Sequence, residues 1–127
     1  MIWLYLVAVL FTLHGLVHAM GLTATWQVGP CGTVAASPGL LPAISAGTPQ
    51  AKALGVLWLS AMAGFIAASA GLLAGLPWWR PIAAATCALS LALSIAWWSD
   101  AKAGALIDVA ILAGLILTAS IGWPPTP

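Results

Sequence analysis

Apolar residues fill most of the chain in long stretches, and the prolines cluster at the points where these stretches end. Three stretches contain no proline, at 1–29, 50–76 and 82–123. A membrane-spanning helix needs about 20 mostly apolar residues, so the last stretch is long enough for two helices, divided at the polar segment 99–102. Because proline removes a backbone donor and breaks helices, the pattern predicts four transmembrane helices. They lie at about 2–22, 53–76, 82–98 and 103–122.

The long connection between the first two helices, residues 23–52, is rich in Gly, Pro, Ser and Thr and is predicted to be an irregular loop. The apolar N-terminal segment lacks the basic start of a signal peptide and is as long as a full span, so we keep it as a helix. The predicted fold is therefore all-α: an integral membrane four-helix bundle that forms one transmembrane domain over residues 1–127.

The tryptophans test this division, because the indole ring prefers the interface between lipid and water. Four spans place both termini and the turn 77–81 at one end of the bundle, called end A. They place the loop 23–52 and the turn 99–102 at the other end, called end B. All the tryptophans except Trp58 fall near an end of a predicted helix. Those at end A are Trp3, Trp78, Trp79 and Trp123, and those at end B are Trp26, Trp97 and Trp98.

Composition excludes a water-soluble protein. Hydrophobic residues make up 63% of the chain and charged residues only 4%, whereas a soluble domain carries about 25% charged residues. We therefore expect a lipid bilayer around the chain, and association as a homo-oligomer or with other membrane subunits. Three basic residues and a net charge of +1 leave no basic patch, which excludes a nucleic-acid-binding protein. Motifs of soluble enzymes are also missing from the sequence, so we predict that the chain is not an enzyme.

Orientation in the membrane does not follow from the charges. End B holds Lys52 and Lys102, whereas end A holds Arg80 and the amino terminus. Cytoplasmic loops normally carry the excess of basic residues. The near balance between the two ends leaves either orientation, or insertion both ways, open.

Three ionisable residues lie inside the predicted spans: His14, His18 and Asp108. An ionisable group inside a membrane is costly unless it is paired, so each is a candidate functional residue. The histidines are four residues apart, which puts them on one face of the first helix. Counted from end B, Asp108 lies at a depth between them. The fourth helix can therefore present its carboxylate to both rings if the first and fourth helices are neighbours.

Two interpretations of these residues are open. As a functional site they form a proton relay or bind a small substrate or ion, since imidazole exchanges protons near neutral pH. As a structural latch they fix the register of the bundle by interhelical hydrogen bonds, each worth about 0.6 to 2 kcal/mol.

A metal site is a weaker hypothesis, in which His14 and His18 share one ion and Asp108 is a third ligand. A haem needs two protomers or a partner, because adjacent turns of one helix cannot supply both axial ligands. No cofactor is therefore predicted. The two cysteines, Cys31 in the loop and Cys87 in the third helix near end A, are too far apart for a disulfide.

Three segments resemble a known group of proteins. They are Gly55-Val56-Leu57-Trp58-Leu59, Trp78-Trp79 and Trp97-Trp98-Ser99-Asp100-Ala101-Lys102-Ala103-Gly104. The group consists of uncharacterised small four-helix bacterial membrane proteins, some of which are labelled permease proteins of ATP-driven transporters. The most specific element is a Trp-x-Asp-Ala-Lys-x-Gly turn, carried here by Trp98, Asp100, Ala101, Lys102 and Gly104. The resemblance implies a multi-pass protein of the bacterial cytoplasmic (inner) membrane.

The same turn has a physical interpretation at the membrane interface. Asp100 is predicted to cap the N-terminus of the fourth helix, where a negative charge favours the helix dipole. Gly104 is expected to allow close approach of a neighbouring helix.

Three functions follow as hypotheses. The leading one is a small integral membrane protein that acts as an accessory or interaction subunit of a membrane complex. The second is a small homo-oligomeric transporter or proton-coupled carrier that uses His14, His18 and Asp108. The third is a membrane protein that binds a metal or haem.

Overall fold

The computed structural model describes residues 2–29 and 34–123, and these form helices and connecting segments without any strand. Cys31 lies outside the described residues. The five helices are α1 (Ile2–Val17), α2 (Ala19–Trp26), α3 (Pro49–Leu73), α4 (Trp79–Ala96) and α5 (Trp98–Ser120). Helices α1 and α2 follow each other as one apolar segment, Ile2–Trp26. The described residues therefore contain four segments that are long and apolar enough to cross a membrane, as the sequence pattern predicts.

Helix α3 is the central element of the bundle. It packs against α1, α2 and α4, and α5 packs mainly against α4. The first and last helices thus lie at the two open edges of the arrangement. Their direct polar link is a side-chain hydrogen bond described below.

Two helices begin earlier than the prolines suggested. Helix α3 starts at Pro49 rather than at 53, because Thr48 caps it: the Thr48 hydroxyl accepts a hydrogen bond from the Ala51 amide at 3.2 Å. Helix α4 starts at Trp79 rather than at 82 and contains Pro81 in its first turn. Proline is tolerated there because the first amides of a helix have no intrahelical partner. The predicted first residues of these two helices, 53 and 82, are therefore wrong by about one helical turn.

The predicted turn 99–102 is also wrong, because it forms the first turn of α5. Trp97 alone separates α4 from α5, and its carbonyl accepts bonds from the amides of Asp100 and Ala101. Asp100 is therefore not the N-cap. It lies in the first turn, where its charge still favours the helix dipole, and its Oδ2 accepts a bond from the Ala35 amide of the loop at 2.9 Å.

The break between α1 and α2 has a local cause at His18. The ring Nδ1 of His18 lies 2.8 Å from the carbonyl of His14, which in a regular helix accepts the amide of His18. That amide turns instead to the carbonyl of Gly15, at 3.0 Å. A side chain that enters the backbone ladder in this way interrupts a helix. The first apolar segment is consequently interrupted at His18 and continues as α2 to Trp26, beyond the predicted end at 22.

The buried apolar side chains form two clusters, one toward each end of the bundle. The cluster at end A includes Phe11, Phe65 and Trp79, and the cluster at end B includes Trp58 and Trp97. Trp58, which did not fit the interfacial pattern, is thus a core residue at end B. Between the two clusters lies a layer of buried polar side chains.

Candidate functional site

The structure brings together the three ionisable residues that the sequence singled out. His14 Nε2 lies 2.8 Å from Asp108 Oδ1, across 94 positions of the chain. The Asp108 side chain is completely buried, and His14 and His18 are nearly so. The two imidazole rings meet edge to face, with centroids 5.1 Å apart. Helices α1 and α5 are therefore linked at this depth, as the predicted pairing requires.

The sequence suggested that His18 contacts Asp108 directly, but it does not. Ser90 of α4 lies between them: its Oγ is 2.7 Å from His18 Nε2 and 2.6 Å from Asp108 Oδ2. His14, His18, Ser90 and Asp108 are hereafter called the polar cluster. It connects the first apolar segment, Ile2–Trp26, with α4 and α5 through three side-chain contacts.

Ser90 was not predicted, because burial of a lone serine in an apolar helix costs too little free energy to indicate a functional role. A signal was nevertheless present in the spacing. Hydroxyl residues recur every fourth position on the buried face of α4, which predicts one polar stripe along a helix. They are Thr86, Ser90 and Ser94.

Cys87, for which the sequence predicted no part in a site, also borders the cluster. It is fully buried, and its Sγ lies 3.2 Å from the Asp108 carbonyl and 3.5 Å from Asp108 Oδ1. Asp108 thus receives polar contacts from two residues of α4 as well as from His14. On the side of α3, the rings of Phe65 and Trp58 close the site, Phe65 beside His14 at 4.8 Å between centroids and Trp58 beside His18 at 5.3 Å.

Counting hydrogens fixes how many protons the polar cluster must hold. His18 Nδ1 has to donate, because its partner, the His14 carbonyl, has no hydrogen. A neutral His18 then has no hydrogen on Nε2. The three remaining contacts need one hydrogen each, but a neutral His14 and the Ser90 hydroxyl supply only two. With an ionised Asp108 the cluster is therefore one proton short.

The missing proton has two possible places, and neither requires a heavy atom to move. It lies either on Asp108, which then donates to Ser90, or on His18 Nε2, which donates to Ser90 while Ser90 donates to Asp108. The two arrangements differ by a shift of hydrogens through the Ser90 hydroxyl. Both leave the cluster with zero net charge, which favours it in apolar surroundings.

Loss of that proton is costly in this geometry. It leaves a net negative charge away from water, and two lone pairs face each other across a contact of 2.6 or 2.7 Å. The contact then has to open, which separates Ser90 on α4 from either His18 or Asp108. Chemically, the arrangement can bind one proton and couple its release to a movement of α4 against α1 or α5.

Trp58 contributes an unpartnered donor beside the cluster. Its side chain is buried, and its Nε1 is the one buried side-chain nitrogen or oxygen atom in the described residues that has no hydrogen-bond partner. A buried donor without a partner costs about 1 to 3 kcal/mol. This N–H therefore remains without a partner in a side chain that packs on His18.

The other candidate residues lie away from the cluster. Trp98, Asp100 and Lys102 are exposed in the first turn of α5 at end B. Gly104 does permit a close approach, since a Cβ added there would lie 3.2 Å from the Ser94 hydroxyl of α4. Asp100 holds the loop through Ala35, and Gly104 lets α5 lie close to α4, but the structure brings none of these residues to the polar cluster.

The metal hypothesis gains nothing from the geometry. In residues 2–29 and 34–123, no group of three or more His, Cys, Asp or Glu side chains is arranged to hold a metal ion. His18 uses both ring nitrogens in protein contacts, and His14 uses Nε2.

Comparison of the chain with protein-family models, with curated proteins and with solved structures gave no match. The resemblance to small four-helix bacterial membrane proteins therefore stays a prediction, and the function is argued from the geometry.

Proposed function

We propose that the chain is an integral membrane four-helix bundle of the bacterial cytoplasmic membrane that works as a small proton-coupled carrier. The polar cluster is its proton-binding site. Asp108 and His18 share the proton, Ser90 passes it between them, and His14 holds the carboxylate against α1. The observation that carries the proposal is the hydrogen count, which leaves the closed cluster complete only with one added proton.

The proposed cycle alternates two forms of the bundle. In the protonated form the contacts among α1, α4 and α5 are closed. Release of the proton leaves an unpaired buried charge, and opening of the helices lets water or a solute reach it. The unpartnered Nε1 of Trp58, beside His18, favours entry of a polar group from end B. An ionisable residue within a span most often marks such a pathway.

The experiment is the Asp108→Asn variant. Asparagine copies the hydrogen pattern of a protonated Asp108: its carbonyl accepts from His14 and its amide donates to Ser90. The variant should stay folded but be held in the closed form. Asp100→Asn is the matched control, since it changes the chain's other carboxylate, which lies in the first turn of α5.

Cys87 provides the measurement without knowledge of the substrate. Its buried thiol touches Asp108, so opening of the cluster exposes it to a membrane-permeable maleimide. Both proteins carry Cys31→Ser, so that only Cys87 is labelled. We expect the labelling rate of the parent, divided by the labelling rate of Asp108→Asn, to rise with pH. The limit for a single proton is about tenfold per pH unit. The Asp100→Asn control should behave as the parent.

A ratio that does not change with pH contradicts the proton-coupled opening. Growth or transport in the native host supplies the second test: loss of function at normal abundance supports the carrier, whereas wild-type behaviour of Asp108→Asn refutes it. The latter result favours the accessory or interaction subunit expected from sequence, for which the cluster serves only as a latch.

A further inference from the structure

An apolar groove lies on the end A side of the polar cluster, between α1 and α5. It has a volume of about 320 Å³ and is lined on one side by Val7 and Phe11 of α1 and on the other by Gly114 and Leu115 of α5. The groove follows from the packing, because α5 lies mainly against α4 and leaves its side toward α1 uncovered. Its volume is roughly twice the 150 Å³ that holds a benzene molecule.

Two tryptophans stand at the outer part of the groove. Trp79 and Trp123 both line it, and their rings meet edge to face with centroids 6.5 Å apart. Tryptophan rings gather where the acyl chains of a bilayer meet the headgroups. The groove therefore runs inward from the headgroup level of end A.

An arginine lies at the same level. The guanidinium of Arg80 is stacked over the Trp79 ring at 4.9 Å. It donates to the carbonyls of Leu115 and Thr118 and to the Thr118 hydroxyl at 3.3–3.4 Å, so it caps the end of α5. Among the described residues no carboxylate forms an ion pair with it. No carboxylate of the described residues thus neutralises its charge beside the mouth of the apolar groove, and a guanidinium is well suited to bind phosphate.

We propose that this groove binds one anionic phospholipid, with an acyl chain between α1 and α5 and the phosphate at Arg80. The proposal rests on the membrane location proposed above but not on the proton cycle. Basic pockets between membrane helices are typical sites for anionic headgroups. Here the groove supplies the apolar part of the site, and Arg80 with the Trp79 ring supplies the polar part.

Native mass spectrometry of the full chain tests the proposal. The protein is released from mild detergent containing either phosphatidylglycerol or phosphatidylcholine with the same acyl chains. We expect one phosphatidylglycerol to be retained per protomer, and phosphatidylcholine to be retained more weakly. Arg80→Gln should lower the affinity for phosphatidylglycerol roughly fivefold, as expected for one basic residue near an anionic lipid, and should leave phosphatidylcholine unchanged.

A second variant tests the groove itself. A Cβ added at Gly114 meets no heavy atom within 4 Å, so the side chain in Gly114→Leu starts in open space at the wall of the groove and should lower retention of both lipids. Leu117→Phe is the matched control, since Leu117 is 64% exposed and does not line the groove.

Four results overturn the proposal. Equal retention of the two lipids by the parent protein would show that the site does not select an anionic headgroup. An Arg80→Gln variant that binds phosphatidylglycerol as tightly as the parent would show the same. Unchanged retention by Gly114→Leu places the lipid elsewhere. A lipid-free dimer that Gly114→Leu converts to monomer assigns the groove to a second copy. Because none of these results concerns Asp108, failure here is distinguishable from failure of the proton cycle.

Discussion

Ser90 is the residue on which the polar cluster depends, although it carries no charge. Its single hydroxyl contacts both His18 Nε2 and Asp108 Oδ2 and is fully buried. A buried hydrogen-bonding group that loses its partner costs more than the bond itself contributed, because it cannot turn to water. The unpaired groups, rather than the missing hydroxyl, then determine the effect of a substitution.

Ser90→Ala should therefore destabilise the protein by roughly 1 to 3 kcal/mol, since it leaves His18 and Asp108 without this partner. Thermal or denaturant unfolding in detergent measures the loss. Ser60→Ala is the control: Ser60 bonds the Val56 carbonyl of its own helix at an exposed position and should change stability by less than about 0.5 kcal/mol. Equal stability of Ser90→Ala and the parent contradicts the network of hydrogen bonds described here.

The polar residues show which part of a site a sequence can reveal. His14, His18 and Asp108 were predictable because an ionisable group in an apolar helix needs an explanation. Ser90 and Cys87 were not, because small polar residues pack in any helix at little cost. The hydrogen count, and with it the proton, depends on Ser90 and therefore required the structure.

At the scale of elements, the number of helices followed from the apolar pattern but their ends did not. From the sequence, Pro49 and Pro81 indicate loops, yet each lies in the first turn of a helix, where proline removes no intrahelical bond. The segment 99–102 looked like a turn because it is polar, although a polar first turn is as compatible with a helix end. Helix α5 accordingly begins at Trp98.

The contact between α2 and α3 depends on a glycine that the sequence did not single out. A Cβ at Gly21 would overlap the indole ring of Trp58, which is 4% exposed and enclosed by His18 and Trp97. These neighbours restrict the movement of the ring. Glycine at position 21 therefore lets α2 lie directly on Trp58.

Gly21→Ala should destabilise the protein by about 1 to 3 kcal/mol, the usual cost of overpacking a close contact, even though alanine favours a helix more than glycine does. Gly114→Ala is the control, because it makes the same change in α5 where no atom lies within 4 Å. The midpoint of thermal unfolding should fall for the first variant and stay level or rise for the second. A rise for both contradicts the close packing of α2 on Trp58.

The whole molecule is closed by a bond between its first and last long helices. Among the helix pairs, α1 and α5 share no extensive packing contact, and the apolar groove separates them toward end A. The His14–Asp108 pair, with side chains 5% and 0% exposed, joins them near the middle. Its contribution should therefore appear as an energetic coupling between two distant parts of the chain.

A double-mutant cycle with His14→Leu, Asp108→Leu and the double variant measures that coupling. Each single change removes the partner that His14 Nε2 and Asp108 Oδ1 provide for each other, whereas the double change replaces both side chains by apolar ones, so the double variant should lose less stability than the two single losses together. Interhelical pairs in a membrane protein average about 0.6 kcal/mol with a maximum of about 1.7. We expect a value in the upper part of this range, because Asp108 is completely buried.

Leu16→Ala with Ile116→Ala, both at exposed positions of the same two helices, is the control cycle and should give a coupling near zero. A coupling near zero for His14 and Asp108 as well would mean that the bundle does not depend on this bond for closing α5 against α1.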